Sequence, residues 1–334
     1  MITIYDIAKK TGFSISTVSK VLNKRADVSE KTKKIINAAV EELGYFPSSS
    51  ARSLSTKKSW TIGVVFVEDA GNGLEHPFFN AVIENFKKVV EIEGYDLLFA
   101  SRKIGKEKRS YLDHFMYRGV DGVAVVCSSH TPEIQKLIES DIPSVVIDLD
   151  TRGVSVVYSD NCFGSELAVN HLISLGHRDI AHISGHQRLY VGVERLEGYK
   201  QTMAKHHLSI NDAYIVDGGY FTYEGGKRAM NQLLALDTIP SAVFVAGDLM
   251  AVGAISAIHE AGLRVPEDIS IVGFDDIQIA QYLNPALTTV RQDTALIGKT
   301  AANLMMDQMV NKKKQHMAVK IPVSLIVRDS CKNV

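Results

Sequence analysis

Cysteine is nearly missing from this chain. Cys127, Cys162 and Cys331 are the only three in 334 residues, and they lie far apart. Such spacing offers neither a disulfide framework nor a zinc-ligand pattern, and it fits a reducing cytoplasm. No stretch reaches the roughly 18 consecutive apolar residues of a membrane-spanning helix, so no membrane partner is expected. A secretory leader is not expected either, because Lys9 and Lys10 come early and no long apolar run follows them. The catalytic signatures G-x-x-x-x-G-K-[ST], G-x-S-x-G and H-E-x-x-H are all missing. His171, His177, His182 and His186 crowd one region, but their spacings of 6, 5 and 4 match no standard zinc site. These absences argue against an enzyme and against a metal or other cofactor, although a pair of acids in a cleft could still serve a hydrolase.

Net charge is also almost missing, at −1, while apolar residues make up 46% and charged residues 22%. That is the composition of an ordinary globular protein long enough for two or three domains. The near-zero total hides an asymmetry. Residues 1–58 carry 11 Lys and Arg against 5 Asp and Glu, a balance of +6, and the remainder carries 26 against 33. A basic head on an acidic body suits a protein whose head meets phosphates.

The head opens with TIYDIAKKTGFSISTVSKVLN, residues 3–23. Ile4, Ile7 and Ala8 share one helix face, and Val18, Val21 and Leu22 share another. Between them Gly12 permits a left-handed turn, Phe13 can plug the corner, and Ser14 is placed to cap the second helix. Two short helices around a glycine turn make a helix-turn-helix. On the second, Ile15, Ser16, Thr17, Ser19, Lys20 and Asn23 are available to a DNA groove. Hydroxyls can reach phosphates or base edges, and Lys can contact guanine or phosphate. A helical hairpin that merely packs on its neighbour is the competing reading. Ser29 then caps a third helix over 30–43, whose apolar stripe is Ile35, Ile36, Ala39, Val40 and Leu43, and Gly44 and Pro47 end it. Residues 48–56 follow, rich in serine. Either this is a plain linker, or Ala51 and Leu54, three apart beside Arg52, share the face of a segment that becomes helical on DNA.

From Thr61 the pattern changes to short apolar strands alternating with helices. Strands are expected at 61–67, 96–100, 122–127, 144–148, 180–185, 214–216, 242–246 and 270–274, and helices at 76–90, 111–118, 133–140, 164–175, 193–206, 223–236 and 249–261. Repeated βα units make parallel sheets covered by helices, and two such runs suggest two lobes with a cleft between them. Ligands of open parallel sheets bind beyond the carboxyl ends of the strands. The residues there are Ser128, Asp148, Asp160, Arg195, Asp248 and Asp275, with Phe78, Phe79 and Phe221 available to stack. Carboxylates, one guanidinium and aromatic faces suit a polyhydroxylated ligand. Asp248 could equally cap the helix after it, Asp148 could orient the chain crossing between lobes, and Asp276 could cap a turn.

The head segment, the following VSEKTKKIINAAVEELGYFP and ARSL resemble the DNA-binding head and hinge of the lactose-repressor (LacI/GalR) family. VYSDNCFGSELAVNHLISLGHRDIAHISG, RLEGYKQTM, FVAGDLMAVGAISAIHEAGLRVPEDISIVGFDDIQIAQYLNPALTTVRQD and LIVRDS extend the resemblance over nearly the whole chain. The resemblance implies an α/β protein. A three-helix head would occupy 1–46 and a hinge 47–59. A periplasmic-binding-protein-like core would place one lobe at 60–161 and 290–321 and the other at 162–289 and 322–334. It implies a homodimer on a pseudo-palindromic operator in double-stranded DNA. Ile15, Ser16, Thr17 and Lys20 would present the recognition helix to the major groove, and Leu54 would be the minor-groove wedge with Ala51 close to it, while Thr3, Ser14, Ser19, Asn23 and Arg52 are further DNA-binding candidates. It places Arg195 and Asp275 in an effector pocket, with Phe78, Phe79, Ser128, Asp148, Asp160, Phe221 and Asp248 as further candidates.

One departure is Gly247, where the family commonly has Asn, which removes a possible ligand hydrogen bond. The expectation is a cytoplasmic repressor released from its operator by a sugar. The alternatives are a co-repressor type sensing a purine or a phosphorylated carrier protein, and a carbohydrate-binding protein or enzyme whose head no longer binds DNA. The chain ends soon after LIVRDS, with no heptad tail to tether a tetramer. Leu54→Ala is expected to weaken specific operator binding and spare non-specific binding in a mobility-shift titration; equal loss of both would remove the wedge.

Overall fold

Three helices, Ile4–Thr11, Ile15–Leu22 and Glu30–Leu43, form the amino-terminal unit of the computed structural model. It describes residues 2–23, 25–46, 58–67, 73–100, 103–104, 106–127, 130–311 and 316–334. Ala51, Arg52, Leu54 and Ser128, all singled out above, lie outside them. Local chemistry sets each helix start. Thr3 donates to Asp6 Oδ2 from both its amide and its hydroxyl, at 2.8 Å each. Ser14 and Ser29 accept from the amides of Thr17 and Thr32 at 3.1 and 3.2 Å. Caps of this kind are each worth about 1 kcal/mol. Gly12 (φ 72°) and Gly44 (φ 61°) end the first and third helices in the left-handed conformation. Ile7, Val18 and Ile36 are completely buried and meet Val21 and Ala39 in a small core, against which Phe13 packs.

The following unit is built on two six-stranded sheets. The first contains β1 (Thr61–Val67), β2 (Asp96–Phe99), β5 (Gly122–Cys127), β6 (Ser144–Ile147), β7 (Ser155–Ser159) and β13 (Ala318–Ile321), in the order β13-β7-β6-β5-β1-β2. A small β3 (Lys103–Ile104) and β4 (Glu107–Lys108) hairpin stands apart. The second sheet contains β8 (Ile180–Ser184), β9 (Ile215–Asp217), β10 (Ala242–Val245), β11 (Ser270–Asp275), β12 (Thr288–Gln292) and β14 (Val323–Ile326), in the order β14-β12-β11-β10-β8-β9. β1, β5, β6, β7 and β13 pair in parallel, as do β9, β8, β10, β11 and β12, while β14 runs antiparallel to β12. β6, β7, β8, β10 and β11 are buried at every position. Apolar runs without alternation are what a strand covered on both faces requires.

The chain passes between the sheets three times. It leaves the first after β7 through helix Asn161–Ser174, returns after β12 through helix Thr294–Asn311, and crosses again between β13 and β14, where Pro322 alone intervenes. Helix Asn161–Ser174 starts three residues earlier than expected because Asp160 accepts the Phe163 amide at 3.3 Å. Among the described residues no helix is long and apolar enough to cross a membrane.

His182 sits on β8 inside the second lobe. Its ring stacks between Tyr199 and Phe244, with centroids 5.1 and 4.7 Å away, and its Nδ1 meets the Phe244 carbonyl at 3.0 Å. Burial drives its pKa from 6.5 to about 3. The unfolded chain therefore takes up a proton that the folded chain refuses between these values. Stability from this group is complete above pH 6.5 and falls as the pH drops toward 3, at about 1.4 kcal/mol per unit. In urea titrations at pH 7 and pH 4.5, His182→Phe should lose less stability on acidification than the parent; equal losses would assign the acid sensitivity elsewhere.

Candidate DNA-contacting helix and effector cleft

Helix Ile15–Leu22 turns Val18 and Val21 inward and leaves Ile15, Ser16 and Lys20 on its exposed side. Ser14 and Thr17 are linked by their hydroxyls at 2.9 Å at the helix start. Asn23 donates to the Ser19 carbonyl at 2.9 Å and to its hydroxyl at 3.3 Å, closing the helix end. Lys20 Nζ lies 2.7 Å from Asp27 Oδ2, an exposed ion pair that holds the polar loop against the helix. The pair draws the Asp27 carboxyl below its ordinary range. Exposed pairs of this sort contribute little to stability, so Lys20 can exchange Asp27 for a phosphate or base at small cost. Thr3 is exposed but engaged in the cap with Asp6. Tyr5, on the first helix, is 67% exposed and escaped the sequence reading; its place outside the Ile4, Ile7, Ala8 stripe is the signal for it.

The candidate effector cleft is organised by Arg195, on helix Tyr190–Lys205, which is only 3% exposed. Its Nε donates to Asn161 Oδ1 at 2.9 Å and its Nη1 to the Ala246 carbonyl at 2.6 Å. Nη1 also stands 3.5 Å from Asp275 Oδ1. The guanidinium carbon lies 3.7 Å from the Phe274 ring centroid and 5.5 Å from that of Phe221. Burial weakens the hold of Arg195 on its proton, and the charges of Asp275, Asp148 and Asp248 oppose that loss.

Asp275 ends β11 with φ 114°, in backbone space that side chains seldom adopt. Its Oδ1 also accepts from Gln292 Nε2 at 2.6 Å. Burial raises its pKa, while the Arg195 charge pulls it down. Phe221, at φ 58°, slots its ring between two glycines just beyond strand ends. A Cβ on Gly185 would come within 2.3 Å of Phe221 Cζ, and one on Gly247 within 3.0 Å of Cδ1 and 3.6 Å of Asp275 Oδ2. A side chain at 247 would thus press on the ring and come into contact with the second carboxylate oxygen.

The opposite wall comes from helix Pro77–Ile92. Phe78 is buried and Phe79 half-buried, their centroids 5.2 Å apart. Phe78 and Pro77 border a cleft of about 870 Å³ together with Asp275, Asp276, Arg291 and Gln292. Asp148, at the end of β6, is buried at φ 70° and contributes to the field at Arg195.

Two candidates have other employment. Asp248 is completely buried; its Oδ1 accepts the Thr289 hydroxyl at 2.6 Å and its Oδ2 the Ile277 amide at 2.9 Å. Gly247, not Asp248, is the N-cap of helix Asp248–Glu260. Asp160 caps its helix and pairs with Lys320 at 3.6 Å. The structure therefore gathers Arg195, Asp275 and Phe221, brings Phe78 to a cleft shared with Asp275, and gives Asp248 and Asp160 hydrogen-bond partners within the protein. His76, Asn161 and Gln292 were missed in the sequence. His76 could have been noticed as the polar residue directly before Pro77-Phe78-Phe79, whereas the other two are visible only through their partners. Among the described residues no cluster of three or more His, Cys, Asp or Glu could hold a metal.

Comparison with known proteins gives a consistent pattern. The model of the bacterial regulatory proteins of the lacI family matches residues 3–48, and that of a periplasmic binding protein-like domain matches residues 169–331. The HTH-type transcriptional repressor PurR of Histophilus somni (strain 129Pt) is 36% identical over 339 residues, covering 100% of both chains. The lac repressor dimer bound to operator and the anti-inducer ONPF superposes with a TM-score of 0.87 at 27% identity, covering 99% of each chain. A complex of the transcriptional regulator CelR with cellobiose has a TM-score of 0.73 at 30% identity, covering 99% of this chain and 100% of the other.

Gly185→Ala is expected to destabilise the protein by about 1–3 kcal/mol, the usual cost of overpacking, and Gly247→Ala by less, since its clash is milder. Adding Phe221→Ala should remove most of the Gly185→Ala penalty in a double-mutant cycle read by urea unfolding. Additive effects would mean that the two glycines do not hold the ring.

Proposed function

The chain belongs to the lacI family of bacterial regulatory proteins and is a ligand-responsive transcriptional repressor; from that premise we propose that its effector is a planar heterocycle of the purine class, acting as a co-repressor. The observation that carries this reading is the Phe221 ring fixed between Gly185 and Gly247, with the Arg195 guanidinium and the Asp275 carboxylate beside it. A flat heterocycle can stack on such a ring while its edge meets one cation and one carboxylate. The name PurR, borne by a relative similar over its full length, points the same way.

A sugar inducer is the second reading, and the cellobiose in the CelR complex speaks for it. A polyol needs many side-chain partners, however. Asp248 and Asp160 are already engaged, and Gly247 supplies no side chain. The polar inventory left in the cleft suits an edge-bonded ring better than a ring of hydroxyls.

In this proposal the head (1–46) and hinge (47–59) bind operator DNA as a homodimer in the cytoplasm, with Ile15, Ser16 and Lys20 foremost on the recognition helix. The effector favours one arrangement of the two lobes, and it biases operator affinity only by its difference in affinity for the two arrangements. Apolar side chains exposed on the first lobe, Ile92, Met116 and Tyr117, are available to a second copy.

A thermal-unfolding panel of purine bases, ribose and cellobiose tests the effector class. A ligand at a hundredfold excess over its Kd adds about 2.7 kcal/mol of stability. A purine base is expected to raise the melting point of the parent, to do so far less for Asp275→Asn, and to tighten operator binding in a parallel titration. A shift produced by sugars alone would overturn the purine reading, and operator release by a purine would overturn the co-repressor role.

A further inference from the structure

His76 stands immediately before helix Pro77–Ile92. It is 7% exposed, and its Nδ1 is buried without a hydrogen-bond partner among the described residues. It does not cap the helix it precedes. Its ring leans on Phe79, with centroids 5.3 Å apart. Asp275 and Arg195 lie close enough for their charges to act on it, although they belong to the opposite lobe. Its chain neighbours Glu75 and Pro77 border the same cleft as Asp275.

A buried polar atom without a partner costs about 1–3 kcal/mol, so native structures keep few of them, and those they keep need a reason. Burial lowers the imidazole's affinity for protons, which leaves a neutral ring. Neutral imidazole offers one donor and one acceptor. Arg195 can only donate, and the ionised carboxylate of Asp275 can only accept. The neutral His76 ring thus offers hydrogen-bonding chemistry that neither Arg195 nor Asp275 supplies alone.

We propose that His76 is a specificity-determining residue of the effector site, with Nδ1 bonding the edge of the bound ring that faces away from Arg195 and Asp275. This rests on the purine reading and deepens it. A purine carries hydrogen-bonding atoms on both its six-membered and its five-membered edge, so one molecule can join His76 on one lobe to Arg195 and Asp275 on the other. Closure of the lobes is then rewarded only by ligands with polar atoms at both ends. A base lacking one of the edges binds a single lobe and leaves Nδ1 unpaired.

The test uses the full-length protein, His76→Phe and His76→Asn, with purine bases and their 7-deaza and 9-methyl analogues as probes in calorimetry. The parent is expected to bind at least one analogue tenfold or more weakly than the unmodified base. His76→Phe should bind the base tenfold or more weakly than the parent and discriminate the analogue less than twofold, and His76→Asn should recover part of the affinity. Undiminished affinity and discrimination in His76→Phe would overturn the proposal while leaving the purine reading intact. A second measurement needs no ligand. An unpaired nitrogen replaced by an apolar ring of similar size should leave the melting point of the unliganded protein unchanged or raise it. A clear fall would mark His76 as a structural residue and overturn its assignment even if every probe were silent, an outcome that would itself sink the purine reading.

Discussion

A full positive charge held out of water sets the geometry of the second lobe. Removing a guanidinium from solvent costs several kcal/mol unless its donors and its charge are answered, and Arg195 is answered from four directions. Asn161 comes from the start of a crossover helix, the Ala246 carbonyl from the end of β10, Asp275 from the end of β11, and the Phe274 ring from within β11. Those partners can converge only if the strand ends and the crossover are held in register. The same arrangement turns the Asp275 carboxylate and the Phe221 ring toward the cleft. Asp275 answers Arg195 and Gln292 with one oxygen, and the Asp248 amide also bonds its carboxylate.

How much of this could be read from the chain depends on whether the signal is local. The head was legible because its caps and stripes are short-range: Ser14 with Thr17, Ser29 with Thr32, Ile4 with Ile7 and Ala8. Its one surprise, the Lys20–Asp27 pair, depends on the path of a polar loop, which no periodicity encodes. In the core, the strands flanked by glycine or polar residues were found, whereas β7, β12, β13 and β14 were not drawn as strands. β7 runs straight into the cap of the following helix, and the other three lie where the chain changes sheets, so none stands between the usual turn signals. The αβ repeat and the two-lobed core were nonetheless evident.

The cleft divides along the same line. Arg195, Asp275 and Phe221 announce themselves as chemistry-bearing residues near strand ends. The engagement of Asp248 is invisible in sequence because its partners, Thr289 and the Ile277 amide, are distant in the chain. Gly247 reads as the loss of a side-chain amide. In three dimensions it is a position where a side chain would press on Phe221 and touch Asp275 Oδ2. His76 carries no motif at all; only an unmatched atom in a built interior draws attention to it.

The single residue between β13 and β14 has a mechanical consequence. Ile321 closes a strand of one sheet and Val323 opens a strand of the other, with Pro322 as the whole connection. Such a joint has almost no slack, since proline fixes one of its backbone torsions. Asp160 after β7 and Asp293 after β12 are equally short connections, so three single-residue joints tie the two sheets together and favour a change of angle over a slide. The proposed effector, seated between the lobes, would then act as a wedge or a clasp on one angular coordinate, turning graded differences in ligand shape into differences in a single angle.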